Sequence, residues 1–352
     1  MRNGSVIFDN VVHIHNLRDD NVIEPEGRIT QNFFFRTLQG IKGPDYDYGE
    51  FASAWSAATV GELLFAPGSE IDYAMVQTVP MFDLYRDGLD AVERQYELVK
   101  LYPERAVFCG GTDPVLRGMN TAMHDIDHQI RDLGARSIKF YTAHTRGRSW
   151  RMDDPHLAYP LYERMLEYGV DIAQVHKGNP LGPEPLTALQ AHDVGEAALN
   201  FPQMRFIIHH LGVPYEDETI LIAARYPNVY LSMSTWINFV AIAPRLTAER
   251  LGKALFYVGP DRILWGSEAP LGPHPRALLD ACWNFQIPED LRAGYGYPEI
   301  TDEDRRKMFG GNMLKLLGMP SAPPTVASVP PSLASVSPPV TEVRPEVADA
   351  RA

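Results

Sequence analysis

The feature of this sequence that most constrains its fold is an alternation of short apolar runs with amphipathic segments of helical periodicity. Buried strands followed by crossover helices form a parallel sheet, and eight such units in about 250 residues or more match a closed (β/α)8 barrel. We therefore predict an α/β fold of the distorted (β/α)8 TIM-barrel type. The apolar runs are residues 5–15, 71–78, 106–113, 136–141, 170–176, 205–210, 228–233 and 262–268, and the amphipathic segments include 87–102, 119–134 and 158–169.

Two segments do not fit the repeating unit. Residues 17–65 contain no repeat and are predicted to be an insertion after strand 1 that covers the barrel mouth or mediates assembly. After residue 319 the sequence is rich in Pro, Ala, Ser and Val and has no aromatic residue, so it cannot bury a core. We therefore divide the chain into a barrel, residues 1–319, and a disordered tail, residues 320–352. A doubly wound open sheet is the competing architecture, but no Gly-rich phosphate turn follows the first apolar run.

Charge and composition exclude several classes of partner. The net charge of −13 and the pI near 5.3 argue against nucleic acid and anionic membranes. No apolar run is long enough to cross a bilayer, and the first ten residues lack the apolar core of a signal peptide. Cys109 and Cys282 are too few and too far apart for a disulfide framework. We expect a cytoplasmic protein with a small-molecule substrate that assembles as a homo- or hetero-oligomer.

The stretch VVHIHN, residues 11–16, suggests a metal site. Residues at i and i+2 of a strand face the same way, so His13 and His15 can bind one ion together. Alone, this pair is weak evidence, since two solvated histidines at a strand end give the same pattern. However, the carboxyl ends of all barrel strands meet at one mouth, and four further strands carry a metal-competent side chain near that end. These residues are Lys139, His176, the pair His209 and His210, and Glu268.

These segments together resemble the amidohydrolase superfamily, and in particular its amidohydrolase-related branch of hydrolases, lactonases and non-oxidative decarboxylases. The resemblance covers residues 5–319 and rests on HIH at 13–15, QVHKG around His176, IIHHLG around His210, ILWGSEAP around Glu268 and FGGNMLKLLGM at 309–319. It implies a divalent metal at the barrel mouth with His13, His15 and His176 as ligands. It also implies that His210 acts as acid/base or as a ligand of a second metal. By strand alternation His209 takes the opposite face and a structural role, and Asp9 is a possible hydrogen-bond partner of the pair.

Two residues depart from the family pattern. Glu268 stands where the family usually has Asp, and its longer side chain can bind a metal, bridge two metals or act as the base. Lys139 stands where dinuclear members have a carbamylated lysine. Since a free ammonium cannot bind a cation, Lys139 is either carbamylated or pairs with a substrate carboxylate. We therefore predict one or two Zn, Fe or Mn ions, with ligands drawn from His13, His15, Lys139, His176, His210 and Glu268.

The resemblance implies three possible reactions. In the first, a metal-activated water attacks an amide, lactone or related bond of a small carboxylate-bearing substrate, with His210 and Glu268 as catalytic residues. The second is O2-dependent hydroxylation at a dinuclear iron or manganese centre, and the third is non-oxidative decarboxylation. Four residues near the strand ends are candidates for substrate binding, with Arg146 able to clamp a carboxylate. They are His144, Arg146, Trp236 and His274.

Overall fold

The computed structural model describes residues 1–321 and contains eight parallel strands that form one sheet in chain order. Each predicted apolar run contains one strand, so the predicted TIM barrel is confirmed. Beyond the last strand, Glu268 N–H donates to Val11 O at 3.0 Å and His13 N–H donates to Ala269 O at 2.9 Å, which nearly closes the barrel. The strands are β1 (Phe8–Val12), β2 (Tyr73–Gln77), β3 (Ala106–Gly111), β4 (Ser137–Tyr141), β5 (Ile172–His176), β6 (Arg205–Ile208), β7 (Val229–Ser232) and β8 (Ile263–Leu264).

Helices surround the barrel. One helix follows each of the strands β2 to β8, and α3, which precedes β2, completes the ring by packing against α4. The helices are α1 (Glu26–Lys42), α2 (Tyr48–Phe51), α3 (Ala57–Phe65), α4 (Val92–Leu101), α5 (Met119–Arg131), α6 (Tyr159–Glu167), α7 (His192–Asn200), α8 (Glu216–Arg225), α9 (Pro244–Val258), α10 (Pro275–Trp283), α11 (Glu289–Tyr295), α12 (Asp302–Arg306) and α13 (Asn312–Leu317). No helix within residues 1–321 has the length and apolar composition needed to span a membrane.

The barrel interior changes from apolar to polar along the strands. Near the amino ends, Phe8, Met75 and Ile207 form an apolar cluster with Leu314 of α13, which closes that end of the barrel. Nearer the carboxyl ends inward-facing side chains are polar and bond to one another: Gln77, the last residue of β2, donates through Nε2 to Gln174 Oε1 at 3.1 Å. This polar layer lies directly beneath the mouth, where the predicted site residues are found.

The insertion after β1 covers the carboxyl end of the barrel. Leu38 of α1 and Phe51 of α2 pack with Leu89, Leu181 and Leu271 from loops that follow β2, β5 and β8. An ion pair from Arg146 Nε to Glu26 Oε1, 2.6 Å long, ties the start of α1 to the loop after β4.

The insertion is shorter than predicted. Residues 57–65 form α3, whose apolar side chains Val60 and Leu64 pack in the main core between strands and helices rather than at the mouth. The insertion in the barrel is therefore limited to the residues between β1 and α3. The predicted tail, residues 320–352, lies outside the described residues from position 322 onward.

Candidate metal centre

His13 and His15 lie directly beyond β1 and share one carboxylate. The strand ends at Val12, yet the two imidazoles lie side by side with ring centres 4.9 Å apart. His15 Nδ1 forms a hydrogen bond of 2.7 Å with Asp90 Oδ1, and His13 Nδ1 lies 2.6 Å from Asp90 Oδ2. All three side chains are buried. Asp90 therefore holds His15 by a hydrogen bond and pairs with His13, whose Nδ1 also faces the carbonyl oxygen of Gln77 at 3.3 Å.

This arrangement fits a metal ion. Metal-binding histidines commonly donate their second ring N–H to a carboxylate, which fixes the ring and leaves the other nitrogen free for the metal. Although burial alone would raise the pKa of Asp90, the neighbouring His15 and His13 hold it below its usual value. Although burial alone would lower the pKa of His13, Asp90 raises it to about 9. His13 is therefore protonated near pH 7, and a metal ion would bind its Nε2 in place of that proton.

A second pair of donor atoms lies opposite, at the ends of β5 and β6. His176 Nδ1 lies 2.9 Å from His210 Nε2, while His176 Nε2 faces the carbonyl oxygen of Asn179 at 3.2 Å. On its other side, His210 Nδ1 lies 2.9 Å from Thr235 Oγ1. Burial lowers the pKa of His210 to about 4 and the pKa of His176 well below its usual value. Both rings are therefore neutral near pH 7, as metal ligation requires.

Glu268 lies between the two pairs of histidines. Its Oε2 is 3.4 Å from His13 Nε2 and its Oε1 is 3.4 Å from His210 Nδ1. Although burial alone would raise the pKa of Glu268, the hydrogen bond and the charge of His13 hold it well below the usual range. The carboxylate is thus ionised and within reach of both halves of the site.

The backbone is strained around these side chains. His210, Leu211, Thr235 and Glu268 have φ values between +53° and +65°, a region that residues other than glycine rarely adopt. All four follow the ends of β6, β7 and β8. Strain of this kind persists only where the surrounding structure enforces it, and it concentrates at active sites.

Lys139 is buried in the barrel interior. Its Nζ donates to Gln77 Oε1 at 3.0 Å in the polar layer of the barrel interior, and burial lowers its pKa to about 7. His209 lies in the same layer, where its Nε2 is 2.7 Å from Gln174 Oε1. His209 therefore has a hydrogen-bonding role inside the barrel. Asp9, the possible partner of the His13–His15 pair, instead accepts from Ser267 N–H at 2.8 Å.

One cavity opens onto His13, His15, His176, His210 and Glu268 together. Its other walls are mainly apolar and come from α1 and from the loops at the carboxyl ends of the strands. The lining includes Phe33, Phe34, Leu38, Leu89, Tyr141, Leu181, Thr235, Asn238, Phe239 and Leu271.

The four predicted substrate-binding residues do not line this cavity. His144 is buried between two carboxylates, with Nε2 2.5 Å from Asp113 Oδ2 and Nδ1 3.4 Å from Asp83 Oδ1. Arg146 points away to pair with Glu26, and its side chain is 66% exposed. Trp236 packs in the main core, and exposed His274 caps α10 by accepting from Arg276 N–H at 3.2 Å.

Sequence reasoning missed Asp90 and Tyr141. Asp90 stands just before α4 and well beyond the end of β2. Its sequence context is therefore that of an ordinary acidic residue at the start of a helix. Tyr141 offered a usable signal, because it lies two residues after Lys139 on β4 and must face the same side. Its ring stacks on His176, with ring centres 4.6 Å apart.

Comparison with known proteins agrees with this architecture. A sequence profile of the amidohydrolase family matches residues 83–319 of the chain. No curated protein sequence matches. Among solved structures, an uncharacterised TIM-barrel protein from Bordetella bronchiseptica is 20% identical with a TM-score of 0.61, and the alignment covers 89% of this chain and 98% of that one.

Two further solved structures contain metal ions. An amidohydrolase from Burkholderia multivorans with bound zinc is 13% identical, with a TM-score of 0.58 over 90% of this chain and 100% of that one. A dihydroxybenzoic acid decarboxylase from a Polaromonas species, solved with manganese and 2-nitroresorcinol, is 16% identical, with a TM-score of 0.54 over 90% and 97%. At these identities the likeness concerns the fold.

Proposed function

Because this chain belongs to the amidohydrolase family, we propose that it is a metal-dependent hydrolase that opens an amide, lactone or related bond in a small substrate. His13 and His15 would hold the metal by Nε2, and His176 by Nδ1. These are the ring nitrogens that the bonds to Asp90 and Asn179 leave available. A divalent ion bound here would lower the pKa of a coordinated water and polarise a substrate carbonyl.

The main support for this proposal is the position of Glu268. Its Oε1 has no hydrogen-bond partner among the described residues, although it is buried at the centre of the site. An ionised carboxylate with a free oxygen beside the ligand atoms is suited to accept the proton of the attacking water and pass it to the leaving group. His210 is neutral, and its Nδ1 lies 3.4 Å from the same oxygen, where it can take over that proton.

Non-oxidative decarboxylation is the second candidate. The observation that favours it is the apolar wall of the cavity, since a ring packed there would present its carboxylate toward the ligand atoms. In that case either Glu268 or His210 would have to deliver a proton to the ring. The group that does so must itself be protonated beforehand. Their lowered pKa values oppose this, so we rank hydrolysis first.

The test uses the full chain loaded with zinc or manganese. It is assayed against a panel of lactones and aryl amides for release of acid, and against hydroxybenzoates for release of CO2. We expect acid release, and we expect Glu268→Gln to reduce kcat by about 10²- to 10⁴-fold, the range for loss of a general base. Metal content is measured in both proteins, because a variant that has merely lost its metal does not report on proton transfer. Release of CO2 without any hydrolysis would reject the first proposal in favour of the second.

A further inference from the structure

The cavity over the metal centre is chemically divided. All of its histidines and its only carboxylate, Glu268, lie at the metal end. The opposite end is built from Phe33 and Leu38 of α1 and from Leu89 and Leu271 of the loops. Among the described residues, no lysine or arginine side chain lines this cavity. The apolar end therefore offers no partner for a negatively charged substituent.

Apart from the histidines and Glu268, the polar side chains that line the cavity within the described residues are uncharged. The Tyr141 ring lines the cavity, and its hydroxyl forms no hydrogen bond with any described residue. The Asn238 amide also lines the cavity, and its oxygen has no partner within residues 1–321. A phenol and an amide can bond to neutral substrate oxygens, but they cannot compensate the burial of a full charge.

The size of the cavity sets a further limit. Its volume is about 140 Å³, close to the roughly 150 Å³ of an apolar cavity that holds one benzene molecule. This volume matches a substrate with a single ring.

We propose, on the basis of the hydrolase function above, that the substrate places one uncharged ring in the apolar end, with charge confined to the group at the metal. Arg146, which was expected to bind a substrate carboxylate, instead forms an ion pair with Glu26. A ring that carries a second carboxylate would place that charge beside the buried side chains of Leu38, Leu89 and Leu271 without a cationic partner, and it would bind more weakly.

The test measures binding rather than turnover. Benzohydroxamate and 4-carboxybenzohydroxamate carry the same metal-binding group, and only the second places a carboxylate at the apolar end. Titration calorimetry on the zinc-loaded full chain should show that the neutral compound binds about tenfold or more tightly, since an unpaired buried charge costs more than one factor of ten. Equal affinities, or preference for the carboxylated compound, would overturn the proposal, and so would failure of both compounds to bind.

The variant Phe33→Arg would place a cationic side chain at the apolar end of the cavity. Phe33 lines the cavity and is 48% exposed, so the variant can fold with its guanidinium at the rim. We expect it to bind the carboxylated compound several-fold more tightly than the wild type does. Ile29→Arg is the matched control, because Ile29 lies one turn earlier on α1, is 51% exposed and does not line the cavity. A wild type that binds benzohydroxamate selectively but hydrolyses no panel member would refute the proposed function and leave this inference standing.

Discussion

The Nδ1 atom of His176 faces the Nε2 atom of His210 across 2.9 Å. Because the carbonyl of Asn179 takes the Nε2 proton of His176, the Nδ1 atom carries a lone pair, and the proton between the two rings belongs to His210. A metal ion that binds both atoms must displace this proton and separate the rings. If His210 is a ligand, its proton therefore moves to Nδ1, where the carbonyl oxygen of Ser234 at 3.4 Å and Thr235 Oγ1 at 2.9 Å can accept it.

Removal of the first histidine pair tests the whole site. We expect His13→Ala combined with His15→Ala to abolish activity and to lower the metal content, because both proposed ligands that follow β1 are lost. Metal content is measured by mass spectrometry and folding by circular dichroism. The control is His124→Ala with His128→Ala, two exposed histidines of α5. Full activity with normal metal content in the first double variant would disprove the metal centre.

Asp90 should act through the two rings that it holds. We expect Asp90→Asn to lower metal affinity about 10- to 100-fold, the range for lost partners of metal-binding histidines. Competition with a chelator measures this affinity without reference to activity. Asp87→Asn is the matched control, since Asp87 lies in the same loop and is exposed. Unchanged affinity in Asp90→Asn would show that the carboxylate does not orient the ligands.

Lys139 decides between one metal and two. Burial lowers its pKa to about 7, so a large fraction of the amine is neutral at pH 7 and able to react with CO2. If Lys139 is a carbamylated bridge, Lys139→Ala loses one of two ions and bicarbonate raises the metal loading of the wild type. We expect this outcome. A variant that keeps a full single-ion content would exclude the dinuclear centre and with it the O2-dependent alternative.

His144 makes stability depend on pH. Although burial alone would lower its pKa, Asp113 and Asp83 raise it to about 9, above the value near 6.5 of an unfolded chain. The resulting stabilisation, up to about 3 kcal/mol, is complete below pH 6.5 and is lost as the pH rises through 9. Urea unfolding of metal-free wild type and His144→Gln should therefore show a difference that is large at pH 6 and small at pH 10. A constant difference would mean that the ion pairs are not formed.

The sequence was informative where a strand fixes a side chain. His176 ends β5 in an alternating run, so its inward orientation follows from the period of two. Alternation failed at His209 and His210, which it placed on opposite faces. The strand stops at Ile208, and the positive φ of His210 turns both rings toward the barrel axis. Nothing in local sequence specifies such a turn.

Loop residues could not be placed from sequence. Arg146 follows β4 closely, but the loop turns at that residue and directs the guanidinium to Glu26. Asp90 reaches His15 only because a long loop folds back over the end of the barrel. Both outcomes depend on contacts between segments that are distant in the chain, and periodicity carries no information about such contacts.

The part of the cavity wall that α1 forms and the ligand atoms are encoded in different parts of the chain. The ligand candidates are fixed by strand ends and by the barrel's own hydrogen bonds, whereas α1 belongs to a segment added between β1 and α3. Substitutions in that segment, or its replacement, can change which substrates the cavity admits. The ligand residues and their chemistry stay the same. Selectivity in this protein is therefore a trait that evolution, or an engineer, can exchange separately from catalysis.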